Sequence, residues 1–368
     1  MNFINATRME AGYTMAIDVS GRELLVIVVK GTFQIPESSG EALRLHDVQL
    51  PLTLSDEFFG EPGFSAPKFE IDFAPRKQRC DVLLNASAYA PGGRPATRTT
   101  VSARISSWSK SFNVIGDRHW ESGLTGIGRT PPVPFTVMPI TYDRAFGGTD
   151  DKHPDPSRHS AFPANPIGRG FHRQTARQYI DGAPLPNTEE VSNAVTGFDG
   201  GYRPMSFGPV GRHWQPRTAY AGTYDKHWLD EVFPFLPSDF DPRYFQAAPL
   251  DQQLPKAIGA QHVTLTNLTA DGRCDFVLPQ FDAPVHIFPR RGKREDLTAD
   301  LDTILIEPDA GTVALTWRLT RPLKRDLFEI SEVLVGKKSP TWWQARYDGA
   351  FTIPLHVVSG NPASALHP

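Results

Sequence analysis

The chain of 368 residues carries 38 Lys and Arg against 41 Asp and Glu, for a formal net charge of −3 and a pI near 6.4. That balance argues against a general nucleic-acid binder, and the most apolar run, Leu24 to Val29, is far too short to span a bilayer. Two cysteines without a spacing motif, Cys80 and Cys274, imply neither a metal site nor a disulfide framework. The first residues lack the apolar core of a secretory signal, so a cytoplasmic protein is the expectation.

In chain order, Leu24–Phe33 is a strand from its β-branched run. A polar, proline-bearing section follows to about Glu70. Asp81–Ala90 and Thr99–Ile105 are strands around the turn cluster Pro91-Gly92-Gly93-Arg94. Val101, Ala103 and Ile105 alternate with Ser102, Arg104 and Ser106, so one face is buried and the other wet. Lys110–Ile115 continues the pattern. From Pro131 to about Leu254 periodicity fades and Pro, Gly, Asn and aromatic residues dominate, with short helical turns expected at Asp225–Glu231 and near Gln246–Leu254. Val263–Leu268 and Cys274–Leu278 then flank the hairpin turn Asp271-Gly272. Thr303–Ile306 and Thr312–Leu319 form another pair, and Val313, Leu315, Trp317 and Leu319 share one face. Leu327–Val335 and Phe351–Val358 are candidate edge strands.

The expected fold is mainly β. Two antiparallel, sandwich-like β lobes, residues 1–130 and 261–368, bracket an irregular middle at 131–260 with few short helices. One integrated domain is the alternative division.

Within the middle, Tyr202–Gln253 is crowded with aromatics and punctuated by prolines, which exclude a long helix or a central strand. Burying those rings does not by itself repay ordering some fifty residues, so the stretch must lie against a scaffold or a partner. Trp214, Arg217, Tyr224, Asp225 and Trp228, with Arg144 upstream, are the candidates for partner contact, because Trp, Tyr and Arg are enriched at binding hot spots. Scaffold is the first reading for them and interface the second.

Catalytic patterns are absent above background. Asp117-Arg118-His119 and Asp225-Lys226-His227 lack a third ligand at a recognisable offset, and His153 and His159 bracket a Pro-Asp-Pro loop. No G-x-S-x-G elbow or phosphate-binding glycine loop occurs. Asp239 and Asp241 support only a weak glycosidase reading. No metal and no cofactor are expected, including from His119, His153, His159, His213 and His227.

A series of motifs in order does carry a resemblance. It runs through Val28-Val29-Lys30-Gly31-Thr32-Phe33, Asp72-Phe73-Ala74-Pro75-Arg76-Lys77, Val114-Ile115-Gly116-Asp117-Arg118-His119-Trp120 and Met138 to Gly148. It continues in Asn165-Pro166-Ile167-Gly168-Arg169-Gly170-Phe171, Leu185-Pro186-Asn187, Trp214-Gln215-Pro216-Arg217, Gly222-Thr223-Tyr224-Asp225 and Ala248 to Gln253. The sequence resembles the effector adaptor (chaperone) proteins of bacterial type VI secretion systems, catalogued as domain of unknown function 2169. Phe146, Gly147, Gly148, Asn165, Gly168, Gly170 and Asn187 are the motif residues expected to be structural. The family's usual opening, Asn-x-Thr followed by Pro and an aromatic, is replaced here by Asn5-Ala6-Thr7-Arg8-Met9. The resemblance implies a non-enzymatic cytoplasmic adaptor whose partners are a toxin effector, often with a PAAR-like domain, and the spike protein, with no nucleic acid and no membrane. A hydrolase using Asp and His of the middle region, or a structural component of the apparatus, are the alternatives.

Overall fold

The structure, a computed structural model, describes residues 1–123, 126–255 and 259–348. The strand expected at Phe351–Val358 lies outside them. The protein is mainly β, and its largest sheet curls into a nearly closed barrel. From one edge to the other the barrel strands are Asn2–Asn5, Ile330–Val335, Ala283–Pro289, Glu295–Glu307, Thr312–Pro322, Glu23–Gln34 and Glu10–Ile17. Cys80–Leu84 runs parallel to the second half of Glu295–Glu307, past the stretch where Ala283–Pro289 pairs. A second sheet orders Thr188–Glu189, Trp108–Ile115, Arg98–Ile105, His262–Thr266 and Arg273–Val277.

Strands from the two ends of the chain are interleaved. Thr312–Pro322 pairs along its length with Glu23–Gln34, and His262–Thr266 pairs with Arg98–Ile105. The expected segregation into lobes at 1–130 and 261–368 is therefore corrected. Alternation tells which side chains face inward, but not which distant strand supplies the neighbouring ladder. The expected antiparallel pairing also has exceptions, since Asn2–Asn5 lies parallel to Glu332–Val335.

Both sheets face one core. Leu25, Ile27, Val29, Val313, Leu315 and Trp317 from the barrel meet Val101, Ile105, Phe112 and Phe276 from the second sheet. Glu23–Gln34 is buried on both faces, which explains its unbroken apolar run. Its other face is covered by the section between Pro51 and Asp72, where Lys30 Nζ donates to Asp72 at 2.8 Å and to the Thr53 hydroxyl at 3.1 Å. The middle region builds a smaller core from Phe146, Phe171, Ile180 and Leu185, joined by Trp120 from the strand just before it.

The end of the aromatic stretch ties these layers together through buried amides. Gln252 Nε2 donates to the Val82 and Phe207 carbonyls at 2.7 and 2.9 Å. Its Oε1 accepts from Lys110 Nζ at 2.6 Å, and Gln246 Nε2 donates to Asp81 at 2.7 Å. The helical turn expected near Gln246–Leu254 is reduced to Leu250–Gln252, because these side chains hold the backbone against Cys80–Leu84 instead.

Burial pushes the Lys110 ammonium down to about 8, with Asp251 opposing the shift. Below that pH both folded and unfolded chains bind the proton, and the folded state bears the full desolvation cost. Between about 8 and the ordinary lysine value of 10.5 the unfolded chain holds more protons, so this residue's contribution to stability rises with pH. The thiols of Cys80 and Cys274, pushed up by burial, act in the opposite direction. The informative quantity is thus the stability difference between the native protein and Lys110→Met, which shares both thiols. That difference is expected to move in favour of the native protein by about 2 kcal/mol from pH 7.5 to pH 9.5, measured by urea unfolding. A flat difference would remove the buried ammonium from the account.

Candidate partner-binding surface

The motif residues of the middle form a rigid frame. Asn165 Nδ2 donates to the Tyr142 and Phe146 carbonyls at 2.7 and 3.0 Å, while its own carbonyl accepts from Gly148 N at 2.8 Å. Phe146-Gly147 pairs in parallel with Arg169-Gly170. Gly147 has φ +146°, and a Cβ there would lie 2.1 Å from the Asn165 carbonyl oxygen. Gly168 fits equally tightly, since its Cβ would meet Asn165 Nδ2 at 2.4 Å. Asn187 Nδ2 donates to the Ile115 carbonyl at 3.0 Å and to Asp117 at 2.9 Å. Its Oδ1 accepts from Arg144 at 3.2 Å. Arg144 therefore serves this frame, lying 3.7 Å from Asp117 as well.

A buried ionic network lies between the aromatic stretch and the barrel. Arg217 pairs with Glu70, donates to the Val210 carbonyl at 2.6 Å and to the Tyr244 carbonyl at 2.9 and 3.1 Å. Arg212 reaches the same Glu70 at 2.9 Å and Asp56 at 2.5 Å. Further along, Arg318 pairs with Asp302 and donates to the Asp72 carbonyl at 2.6 Å, and Lys77 pairs with Asp81 at 2.7 Å. Burial opposes the Lys77 charge, but Asp81, Glu70 and Asp302 outweigh it and hold its pKa above the ordinary value. Sequence reasoning found the motif Asp72 to Lys77 without its partners, which lie as far away as Arg318.

Trp214 is 1% exposed and packs edge-on against Tyr142 with ring centroids 5.4 Å apart. Its ring also covers Gly211, where a Cβ would come within 2.7 Å. Trp214 and Arg217 thus lie in the interior. Trp214→Ala is expected to cost about 3–5 kcal/mol and lower Tm by about 5–10 °C in a thermal melt. A shift below 2 °C would contradict this packing.

Tyr224, Asp225 and Trp228 lie outside, in a knuckle that projects from the same stretch. Asp225 accepts from Trp228 N at 2.9 Å and starts the helical turn Trp228–Val232. Tyr224 and Phe233 pack edge-on against Trp228, at 4.7 and 5.6 Å, and Trp228 Nε1 donates to the Phe235 carbonyl at 2.9 Å. The ring of Phe235 rests over Gly21, at the hairpin tip joining two barrel strands. Tyr224, Leu229, Phe233 and Phe235 remain 52%, 60%, 62% and 45% exposed, and Asp225, Asp230 and Glu231 rim them. Leu229, Phe233 and Phe235 were not singled out from sequence. The acids spaced through Asp225–Glu231 were the available sign that this part of the stretch faces water.

Beside the knuckle a cleft of about 860 Å³ opens between the hairpin tip and Leu236–Phe245. Ile17, Val19, Leu236 and Phe245 give it apolar walls, and Lys77, Asp302 and Arg318 lie at its floor. Knuckle and cleft together suit a protein segment with large apolar side chains.

Asp239 and Asp241 are engaged otherwise. Asp239 accepts from Thr223 N and Oγ1 at 3.0 and 2.7 Å, which hold its carboxyl below the usual range. Asp241 caps the turn Pro242–Phe245 and pairs with Arg243, whose guanidinium lowers it too. Both shifts keep these groups ionised, whereas glycoside hydrolysis requires one raised acid. Among the described residues no three His, Cys, Asp or Glu are grouped to hold a metal ion, and no helix is long and apolar enough to cross a membrane.

Fold and surface together define a mainly β protein with a barrel-like sheet and a rigidly framed, partly exposed aromatic stretch. The chain belongs to the family described as "uncharacterized protein conserved in bacteria", domain of unknown function 2169, whose model matches residues 20–318. Neither a curated protein nor a solved structure matches it.

Proposed function

We propose that this protein is a cytoplasmic adaptor that binds a type VI secretion toxin effector, with a PAAR-like domain where one is present, and helps load it onto the spike protein. The observation that carries the reading is the knuckle. Four large apolar side chains, Tyr224, Leu229, Phe233 and Phe235, lie around the half-buried Trp228 on a turn fixed by hydrogen bonds and ring packing, yet stay open to solvent. Such a patch is costly unless a partner covers it, and preorganised aromatics lose little entropy on binding. The resemblance in sequence supplies the partner class.

Loss of the gene is expected to remove one effector from the medium while the secreted tube protein persists. Loss of both would make the chain a core component, and unchanged export of both would refute the adaptor role. Point variants locate the surface better than removal of Tyr202–Gln253, which would also take away Gln246 and Gln252 and their clamps on the sheets. Leu229→Ser with Phe233→Ser is expected to change Tm by less than about 2 °C, because both side chains are already exposed. The same variant should weaken effector co-purification at least tenfold, as expected for truncating hot-spot anchors. Normal recovery of the effector would move the binding site elsewhere.

A further inference from the structure

Separate from the knuckle and its cleft, a cavity of about 140 Å³ opens between the short hairpin Glu57–Phe58 and Pro67–Phe69 and the stretch 209–213. Phe58, Pro67, Phe69, Pro209 and Val210 give it apolar walls. The two prolines hold their φ angles fixed, so these walls need little ordering when something enters. The space is close to the ~150 Å³ that admits one benzene ring. Glu70 also lines it, with its side chain 8% exposed. The carboxylate meets Arg212 and Arg217 through Oε1, whereas Oε2 is buried with no partner among the described residues. Native structures satisfy nearly all such atoms, because an unpaired buried oxygen costs free energy. An ionised carboxylate only accepts, so the missing group is a hydrogen-bond donor.

Charge and size select the donor. Two acids, Asp56 and Glu70, already balance Arg212 and Arg217 there. An entering lysine or arginine would meet both guanidinium groups, and an indole exceeds a benzene-sized space. A phenol ring fits, since it is neutral, covers the apolar walls and carries an O–H at its tip. A lone water would satisfy the oxygen but leave those walls bare. The surroundings of the mouth suit a protein rather than a free metabolite. Lys68 lies over the ring of Phe69 in the wall, at 4.8 Å, and over that of Phe59 outside it, at 5.8 Å. Phe59 is 48% exposed, and Phe64, in the same hairpin loop, is 78% exposed. A side-chain-sized pocket beside exposed aromatics is the arrangement that receives a partner's hot-spot anchor, and tyrosine is among the residue types enriched there.

We propose that this pocket receives a tyrosine side chain of a partner protein, whose hydroxyl donates to Glu70 Oε2. The proposal does not depend on the adaptor reading, because the pocket can be probed on the isolated chain. The probe is p-cresol, the tyrosine side chain alone, titrated into the full chain and followed at the valine methyl resonances. Its ring current is expected to shift the Val210 methyls, assigned with Val210→Ala, and to saturate below about 10 mM. Toluene, which lacks the donor, should bind at least about fivefold more weakly. N-acetyltyrosinamide should bind at least as tightly as p-cresol, since a partner's backbone stays outside the mouth. Val210→Leu, which takes up part of the space, should weaken p-cresol at least about fivefold. The methyl shifts of the native protein locate the site even if that variant folds poorly. No saturable shift at Val210 would overturn the proposal. Toluene binding as tightly as p-cresol would overturn it too, and would assign the donor of Glu70 to the gap of about 30 Å³ on its other side, next to Lys77. Tighter binding of benzylammonium would make the anchor a cation, and exclusion of N-acetyltyrosinamide would leave only free phenols; either result would overturn the tyrosine assignment.

Discussion

Gly147→Ala is expected to leave little folded protein. Its φ of +146° is open to glycine alone in practice, and the added methyl carbon would sit 2.1 Å from the Asn165 carbonyl oxygen. That oxygen belongs to backbone and cannot swing aside. Relief requires parting Phe146-Gly147 from Arg169-Gly170, which breaks the hydrogen bonds from Gly148 to Asn165 and from Phe171 to Gly147. Backbone strain of about 1–3 kcal/mol, overpacking of similar size and the lost bonds together approach the 5–15 kcal/mol by which proteins are stable. Gly40→Ala is the control: φ is also positive, at +82°, but nothing lies within 4 Å of the added carbon. It should cost about 1 kcal/mol and fold normally. Soluble yield and thermal melts compare the two, and a Gly147→Ala protein melting within 3 °C of the native one would contradict the geometry.

Arg217→Ala should be the most damaging change within the ionic network. It removes three carbonyl contacts and leaves Glu70, itself buried, with Arg212 as its remaining cationic partner. Breaking a buried pair by deleting one member costs about 3–5 kcal/mol, chiefly through the uncompensated charge. If that is the cause, Glu70→Gln added to Arg217→Ala should recover about 1 kcal/mol or more, although Glu70→Gln alone destabilises. Urea unfolding of the four proteins gives the coupling. A cost for Arg217→Ala under 1 kcal/mol would mean that the pair contributes nothing net.

Local sequence pattern was informative where one face of a strand decides everything. Val313, Leu315 and Trp317 line the core as their alternation required, and the hairpin at Asp271-Gly272 joins the expected strands. Pairing between ends of the chain was not legible, because residues such as Val29 and Trp317 are equally apolar whichever neighbour they register against. The aromatic stretch posed a different problem. Trp214 and Phe233 have the same kind of sequence surroundings, yet one is interior and the other exposed. What separates them is distant: Glu70, which anchors Arg217, and Tyr142, which packs on Trp214. Composition identifies a segment that needs support but not where along it the support stops.

The interleaving of the sheets also sets a timetable for synthesis. Glu23–Gln34 finds its long neighbour only when Thr312–Pro322 has been made, about 280 residues later, so at ~5–20 residues per second the ribosome imposes a wait of roughly 15–60 s. Throughout that interval Leu24–Val29 has one long edge without its eventual ladder, in a run with high β-propensity, no charge and no proline. The nascent chain, whatever it later does for another protein, should itself be a client of the cell's holding chaperones.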